Sequence, residues 1–494
     1  INTDLRNALQ QGASREDVIA GLVYSIADNY TSRIVGARHL GEPLLFLGGV
    51  ALNKAVALAM AARTQRKVIV PPHPELMGSV GTALMLRDHL RSGYISEREY
   101  DLHQLIQGEM ELKDTFRCKA CENNCEIQRI AIRGKVYPFG GLCSKYEILR
   151  HRGDETKEGR DMVALRNNMM INEFGPQPVK NPRGTIGLPM ALTTFELFPF
   201  YTKLINELGY DVVTSSPSKV GNSKAIAAIC YPCEVVHGAV YDLMNRNVDY
   251  IFLPSVIELE VPEGSLRSFT CPSTTVIADV IRAAFRDITN KILSPHISLS
   301  KDHIKTTLQE IERMGTTLGL HKGVARKAGE KALSHYEEYI KKYRELGEKE
   351  FEELIKEPTV IIVGRPYNTC SAEVNLALPR KITSKGYSVI SADMLPHTNH
   401  NIHERDVWHF TQQISNAVGY AKKYPNLYIC LVSCFSCGPD ASMYHWIRQE
   451  LEGRTFCYLE IDSHTAHAGF ETRVGAFLDI VEERRRKKED LNLN

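Results

Sequence analysis

Val363-Gly-Arg-Pro366 closes the apolar run Thr359-Val-Ile-Ile-Val363, and Ile186-Gly-Leu-Pro189 closes another one 177 residues earlier. The same offset recurs downstream, where Leu208-Gly-Tyr-Asp-Val-Val213 matches Lys385-Gly-Tyr-Ser-Val-Ile390. Two matches at one offset predict two related units, residues 184–295 and 358–494, in which strands alternate with helices. Alternation of that kind implies parallel sheets, so the expected fold class is α/β. Between the units, residues 296–357 are charged and poor in glycine and read as a helical hairpin with arms Lys301 to Leu318 and Lys322 to Lys356.

Working outward, residues 1–92 also alternate. An apolar strand, Pro43-Leu-Leu-Phe-Leu47, runs into Gly48-Gly49; a helix is expected from Asn53 to Arg63, a strand at Lys67-Val-Ile-Val70, and a second helix ending near Leu90. Residues 93–117 are polar and read as a linker. Residues 118–150 hold four cysteines around a predicted hairpin, Glu126 to Tyr137, turning at Arg133-Gly134-Lys135. Residues 151–183, charged and then rich in proline, read as a second linker.

The 494 residues, 43% apolar and 24% charged, are enough for several domains with substantial cores. Sixty basic against 59 acidic residues give a formal charge of +1, which supplies no field to recruit nucleic acid. The basic run Glu482 to Lys488 reads as a solvated helix end. No apolar stretch is long enough to span a membrane and no signal peptide is present, so a cytoplasmic location is expected. The chain opens on Ile1 rather than Met, and an excised piece of a longer protein is expected.

Twelve cysteines fall in groups. In a reducing compartment such groups are more often metal sites than disulfides. Cys118, Cys121, Cys125 and Cys143 have C-x2-C-x3-C-x17-C spacing, which suits four thiolates around zinc or a [4Fe-4S] cluster. A segment this short has little core of its own, and a metal knuckle would staple it. Cys230, Cys233 and Cys271 form a second set, and Cys370, Cys434 and Cys437 a third. Cys370, Cys434 and Cys437 follow strands, and Cys230, Cys233 and Cys271 precede helices, where free N–H groups stabilise thiolates. Open α/β sheets gather functional groups at the carboxyl ends of their strands. Thiolates from two facing units therefore point to an iron-sulfur cluster in the cleft, against the plainer reading of buried inert thiols. Cys430 and Cys457 lie inside apolar strands and read as core.

Weaker signals accompany these. Gly48, Gly49 and Asn53 stand where backbone can approach a nucleotide, although a plain tight turn explains them as well. His397, His400 and His403, with His409 nearby, match no helix face and read as a solvated loop. His464 and His467 follow a strand on the cleft side and are candidate proton donors.

Leu47-Gly-Gly-Val-Ala-Leu-Asn53 and Pro74-Glu-Leu-Met-Gly-Ser-Val-Gly-Thr-Ala83 resemble the carboxyl-terminal lobe of the acetate and sugar kinase/Hsp70/actin-type ATPases, and more narrowly the activators of 2-hydroxyacyl-CoA dehydratases and benzoyl-CoA reductases. Cys230-Tyr-Pro, Cys271-Pro, Gly364-Arg-Pro-Tyr-Asn, Ser436-Cys-Gly-Pro-Asp440 and Glu460-Ile-Asp-Ser-His464 resemble large activase-related proteins that fuse such lobes to a dehydratase-like cluster domain. The resemblance implies ATP hydrolysis driving low-potential electrons onto an iron-sulfur cluster. The phosphate-binding lobe and the Cys pair that bridges activator dimers are not found, so this piece alone is not expected to hydrolyse ATP. Six cleft thiolates exceed the three of a dehydratase component and resemble instead the double-cubane cluster proteins.

The expected function is thus a double-cubane [8Fe-9S]-type reductase module, with Cys230, Cys233, Cys271, Cys370, Cys434 and Cys437 as ligands. It would receive electrons from an ATP-hydrolysing activator lobe or subunit and reduce a small molecule. Two alternatives stay open: a 2-hydroxyacyl-CoA dehydratase-type enzyme with one [4Fe-4S] cluster on Cys230, Cys271 and Cys437 acting on an acyl-CoA, and a non-catalytic electron-transfer or scaffold protein. No nucleic-acid or membrane partner is expected, and a homodimer is left open.

Overall fold

The computed structural model describes residues 8–9, 11–35, 39–93, 96, 110–118, 126–132, 134–140, 146, 158–225, 230–262, 264–396, 406–435, 437–463, 465 and 467–492. The chain forms two compact bodies, Ile1–Gly108 and Glu109–Asn494.

In the amino-terminal body, helix Arg15–Asn29 starts at Ser14, whose hydroxyl accepts from Asp17 N at 3.1 Å. Strands β1 (Leu44–Leu45) and β2 (Val68–Ile69) pair in parallel around helix Lys54–Thr64. Ala27, Val56, Ala59 and Met60 make its small core. The last described helix of this body, Met77–Arg91, buries nothing, and Leu45, Leu52, Leu58 and Met85 are more than half exposed.

The carboxyl-terminal body opens with an antiparallel sheet of β3 (Met110–Arg117), β4 (Glu126–Ile132) and β5 (Lys135–Gly140). The expected hairpin is present. Strand β3 lies inside the segment read as a linker; its alternation in Met-Glu-Leu-Lys is masked by charge, and six of its first seven residues are exposed. The second linker also carries structure. Helix Met162–Asn168 buries Met162, Val163 and Arg166, and Arg160 O accepts from Val389 N at 2.8 Å.

The two α/β units follow. The first has β6 (Thr185–Leu188), β7 (Asp211–Thr214), β8 (Tyr250–Phe252) and β10 (Ile292–Leu293), with a separate parallel pair of β9 (Ser255–Glu258) and β11 (His296–Ser298). The second has β12 (Thr359–Gly364), β13 (Ser388–Ser391), β14 (Leu427–Cys434) and β15 (Cys457–Ile461). Their strand orders, β7-β6-β8-β10 and β13-β12-β14-β15, are the same, and every pairing in both sheets is parallel. All residues of β12 and β14 are buried, as strands covered on both faces require. Helices Ile304–Thr317 and Lys322–Leu354 form the hairpin between the units. No described helix is long and apolar enough to cross a membrane.

Candidate functional site

Three of the cleft cysteines occupy the same kind of position. Cys230, Cys271 and Cys437 are the N-caps of helices Tyr231–Asn245, Pro272–Ala284 and Gly438–Glu450, each with proline in its first two positions. Proline suits a first turn because its missing N–H has no partner there anyway. None of the three side chains spends itself on a capping hydrogen bond. Each sulfur therefore stands at the positive end of a helix.

The sulfurs converge. Cys230 Sγ lies 3.5 Å from Cys233 Sγ. Hydrogen bonding with the Cys233 and Cys434 thiols holds the Cys230 thiol well below its ordinary range, and the same contacts push Cys233 and Cys434 up. Cys434 also contacts the Cys437 thiol, and Cys271 acts electrostatically on Cys233. Five cysteines from both α/β units thus share one region. Among the described residues no three His, Cys, Asp or Glu are grouped to hold a single metal ion. As a donor set, soft thiols at helix N-termini fit an iron-sulfur centre. An unsatisfied polar atom in the same region fits it too: Arg365 Nε is buried without a hydrogen-bond partner.

Arg365 follows β12 and is ion-paired with Asp440, the two side chains being 3% and 0% exposed. Asp440 also accepts from Ser433 Oγ at 2.9 Å. The strand end is set by Gly364, whose φ of +139° and whose absent Cβ, which would stand 2.4 Å from Val432 O, admit no other residue without strain. Sequence reading passed over Arg365; its signal was Gly-Arg-Pro in one unit where the other has Gly-Leu-Pro.

Cys370 has different immediate neighbours from the other five. Its sulfur contacts Thr369 Oγ1 at 3.5 Å, and burial pushes the thiol up to about 12. The charges acting on it are those of Arg166, Asp393 and Glu196. Arg166, 1% exposed, donates from Nε to Asp393 at 2.8 Å and from its terminal nitrogen to Phe195 O at 2.8 Å, with Glu196 3.9 Å away. Burial, then the Asp393 charge, raises the Glu196 carboxyl to about 7. A cavity of about 170 Å³ lies beside this network, lined by Met190, Phe195, Ser215, Val235, Ala239 and Ser371 among others. Its walls come from the segments that follow β6, β7 and β12 and from the helix that Cys230 caps.

Of the amino-terminal cysteine set, Cys118 is buried against Ile127 and Tyr146, while Cys121, Cys125 and Cys143 lie outside the described residues. Gly48 has φ +91°, and nothing stands within 4 Å of a Cβ built on Gly48 or Gly49. Asn53 Oδ1 caps helix Lys54–Thr64, accepting from Ala55 N at 3.1 Å, which is the work of a turn residue. His397, His400, His403 and His464 lie outside the described residues, and His467 is described only as the start of the last helix. His409 Nδ1 is 2.8 Å from Ser268 Oγ, joining the two α/β units. Cys430 and Cys457 face each other in register on β14 and β15, both buried.

Residues 185–395 match the CoA enzyme activase uncharacterised domain, and residues 1–85 match the BadF/BadG/BcrA/BcrD ATPase family. Two separate regions of the chain thus resemble activase-related families. It is 34% identical over 83 residues to the 2-hydroxyisocaproyl-CoA dehydratase activator of Clostridioides difficile, covering 17% of this chain and 31% of that protein. It is also 34% identical over 85 residues to the activator of lactoyl-CoA dehydratase of Anaerotignum propionicum, with the same coverage of 17% and 31%. An uncharacterised protein of Methanocaldococcus jannaschii is 37% identical over 91 residues, 18% of this chain and 21% of that one. The chain thus spans between a fifth and a third of the length of these relatives. Among solved structures, the C-terminal domain of glucosamine-fructose-6-phosphate aminotransferase from Francisella tularensis aligns over 61% of this chain and 85% of that one at 11% identity, but its TM-score of 0.18 is too low to define a shared fold.

Proposed function

We propose that the carboxyl-terminal body is an iron-sulfur reductase module, its centre held by thiolates of Cys230, Cys233, Cys271, Cys434 and Cys437. The observation that carries this reading is the convergence of five cysteines from two α/β units, three of them at helix N-termini. A bound iron-sulfur centre supplies low-potential electrons. The chain's own residues supply the rest: the three helix ends offset thiolate charge, and the buried Arg365–Asp440 pair fixes a guanidinium beside the sulfurs. The double-cubane form would draw a sixth thiolate from Cys370, which lies beside the Arg166 segment, its carbonyl accepting from Asn167 Nδ2 at 2.8 Å; the five converging cysteines are the ligand set of this proposal.

Electrons would come from an ATP-hydrolysing activator lobe or subunit. Residues 1–85, with Gly48 and Gly49 at an open turn, would form part of such a nucleotide site, and the exposed Leu45, Leu52, Leu58 and Met85 are surface that a second lobe would cover. A 2-hydroxyacyl-CoA dehydratase-type activity is the second reading, because two relatives are activators of such dehydratases. Anaerobic reconstitution with ferrous iron and sulfide, followed by turnover assays with an ATP-driven activator on both substrate types, tests the proposal. Reduction of a small substrate only while ATP turns over supports it; equal rates without ATP contradict driven electron transfer, and dehydration of a hydroxyacyl-CoA alone selects the second reading.

A further inference from the structure

The two α/β units share a strand order, yet they differ in charge where they meet the sulfurs. Arg365 stands 177 residues after Leu188, each directly before a proline at a strand end. Asp440 is the third residue beyond Cys437; the third beyond Cys271 is Thr274, whose hydroxyl is spent on Cys271 O at 2.6 Å and Thr270 Oγ1 at 2.9 Å. One unit therefore carries a buried ion pair at the position where the other is uncharged.

A buried pair costs more in desolvation than it commonly returns, so stability does not account for it. The guanidinium is also incompletely used. Arg365 NH1 donates to Asp440, but Nε has no acceptor, and leaving a buried donor unpaired is costly. Cys271 and Cys437 act electrostatically on Arg365, and Arg365 on Cys230, so the unused donor belongs to the same region as three helix-capping sulfurs.

We propose that Arg365, aimed by Asp440, is a positioning residue that donates its Nε hydrogen to sulfur of the bound centre and thereby raises that centre's reduction potential. The inference rests on the iron-sulfur reading above. A hydrogen bond to sulfur favours the more negatively charged, reduced state, and such bonds are among the determinants of cluster potential. Only the second unit supplies this donor, so the influence on the centre is one-sided.

The test uses the full chain, reconstituted anaerobically with ferrous iron and sulfide, as wild type, Arg365→Lys and the double variant Arg365→Met/Asp440→Leu. Lysine keeps the charge and loses the Nε donor; the double variant removes the pair together, so that no lone charge is left to unfold the protein. Iron per chain, midpoint potential and the coupling of an exchangeable proton to the reduced centre are measured. Both variants are expected to keep their iron, to lose the exchangeable-proton coupling and to lower the reduced-to-oxidised ratio at fixed potential at least tenfold, equivalent to 59 mV for a one-electron couple. Full iron with unchanged potential in both variants would overturn the role of Arg365 alone. Iron lost from both would reduce it to a structural residue. A wild-type chain that takes up no iron would overturn the iron-sulfur reading itself, and this inference with it.

Discussion

Cys271 and Cys437 cap equivalent helices: each stands at the start of the helix that leads from the third to the fourth strand position of its sheet, β8 to β10 in one unit and β14 to β15 in the other. A repeated fold has thus placed one sulfur from each half at the positive end of a matching helix. That equivalence gives the shared-ligand proposal its sharpest consequence.

Replacing either Cys271 or Cys437 by Ala is expected to remove more than half of the cleft iron after anaerobic reconstitution. Cys430→Ala, which alters a thiol sealed between paired strands, is expected to leave it in place. Iron analysis of the three variants decides the matter, and equal loading of all three would contradict the ligand set.

Arg166→Met should cost about 3–5 kcal/mol in urea unfolding, because it leaves Asp393 and Glu196 buried without their counter-charge. A cost below about 1 kcal/mol would show that the network is not what joins the helix Met162–Asn168 to the two α/β units.

Glu196 gives a pH dependence with a definite sign. Its carboxyl is raised from 4.5 to about 7, so between those values the folded protein holds a proton that the unfolded chain has released. Its contribution to stability is therefore fully present below about 4.5 and lost as pH rises through about 7. Chemical denaturation across that window should show Glu196→Gln losing less stability with rising pH than the wild type. Parallel profiles would refute the assignment.

Gly364→Ala places a Cβ against Val432 O in a backbone region that L-residues avoid. The expected cost is about 1–3 kcal/mol from strain, with overpacking in addition. An alanine variant as stable as wild type would mean that the ends of β12 and β14 have room to part.

The apolar runs and the offset between Gly187-Leu-Pro and Gly364-Arg-Pro made the α/β architecture legible, since buried parallel strands leave a dense signal in the sequence. The helical hairpin was legible for a similar reason, its two arms being long and periodic. Helix Met162–Asn168 was missed because Arg166 reads as a surface charge until Asp393, more than 200 residues away, is seen to bury it. Strand β3 was missed because its alternating apolar residues, Met110 and Leu112, are exposed and interleaved with charge. At the site, helix-capping positions were readable from Cys followed by Pro, but sulfur direction was not. Cys370 follows a strand as Cys437 does, yet the charges acting on it are those of Arg166, Asp393 and Glu196. Likewise, nothing local to Asp440 announces that its partner is Arg365.

Thiol protection reports most directly on the claim that both halves hold one centre. The full chain is treated with a cysteine-alkylating reagent before and after anaerobic loading with iron and sulfide, and each cysteine is followed by peptide mass. The account predicts that Cys230, Cys271 and Cys437 become protected together as iron binds and are exposed together when it is chelated. Protection of cysteines from one half only, or alkylation at unchanged rates in the loaded protein, would contradict it.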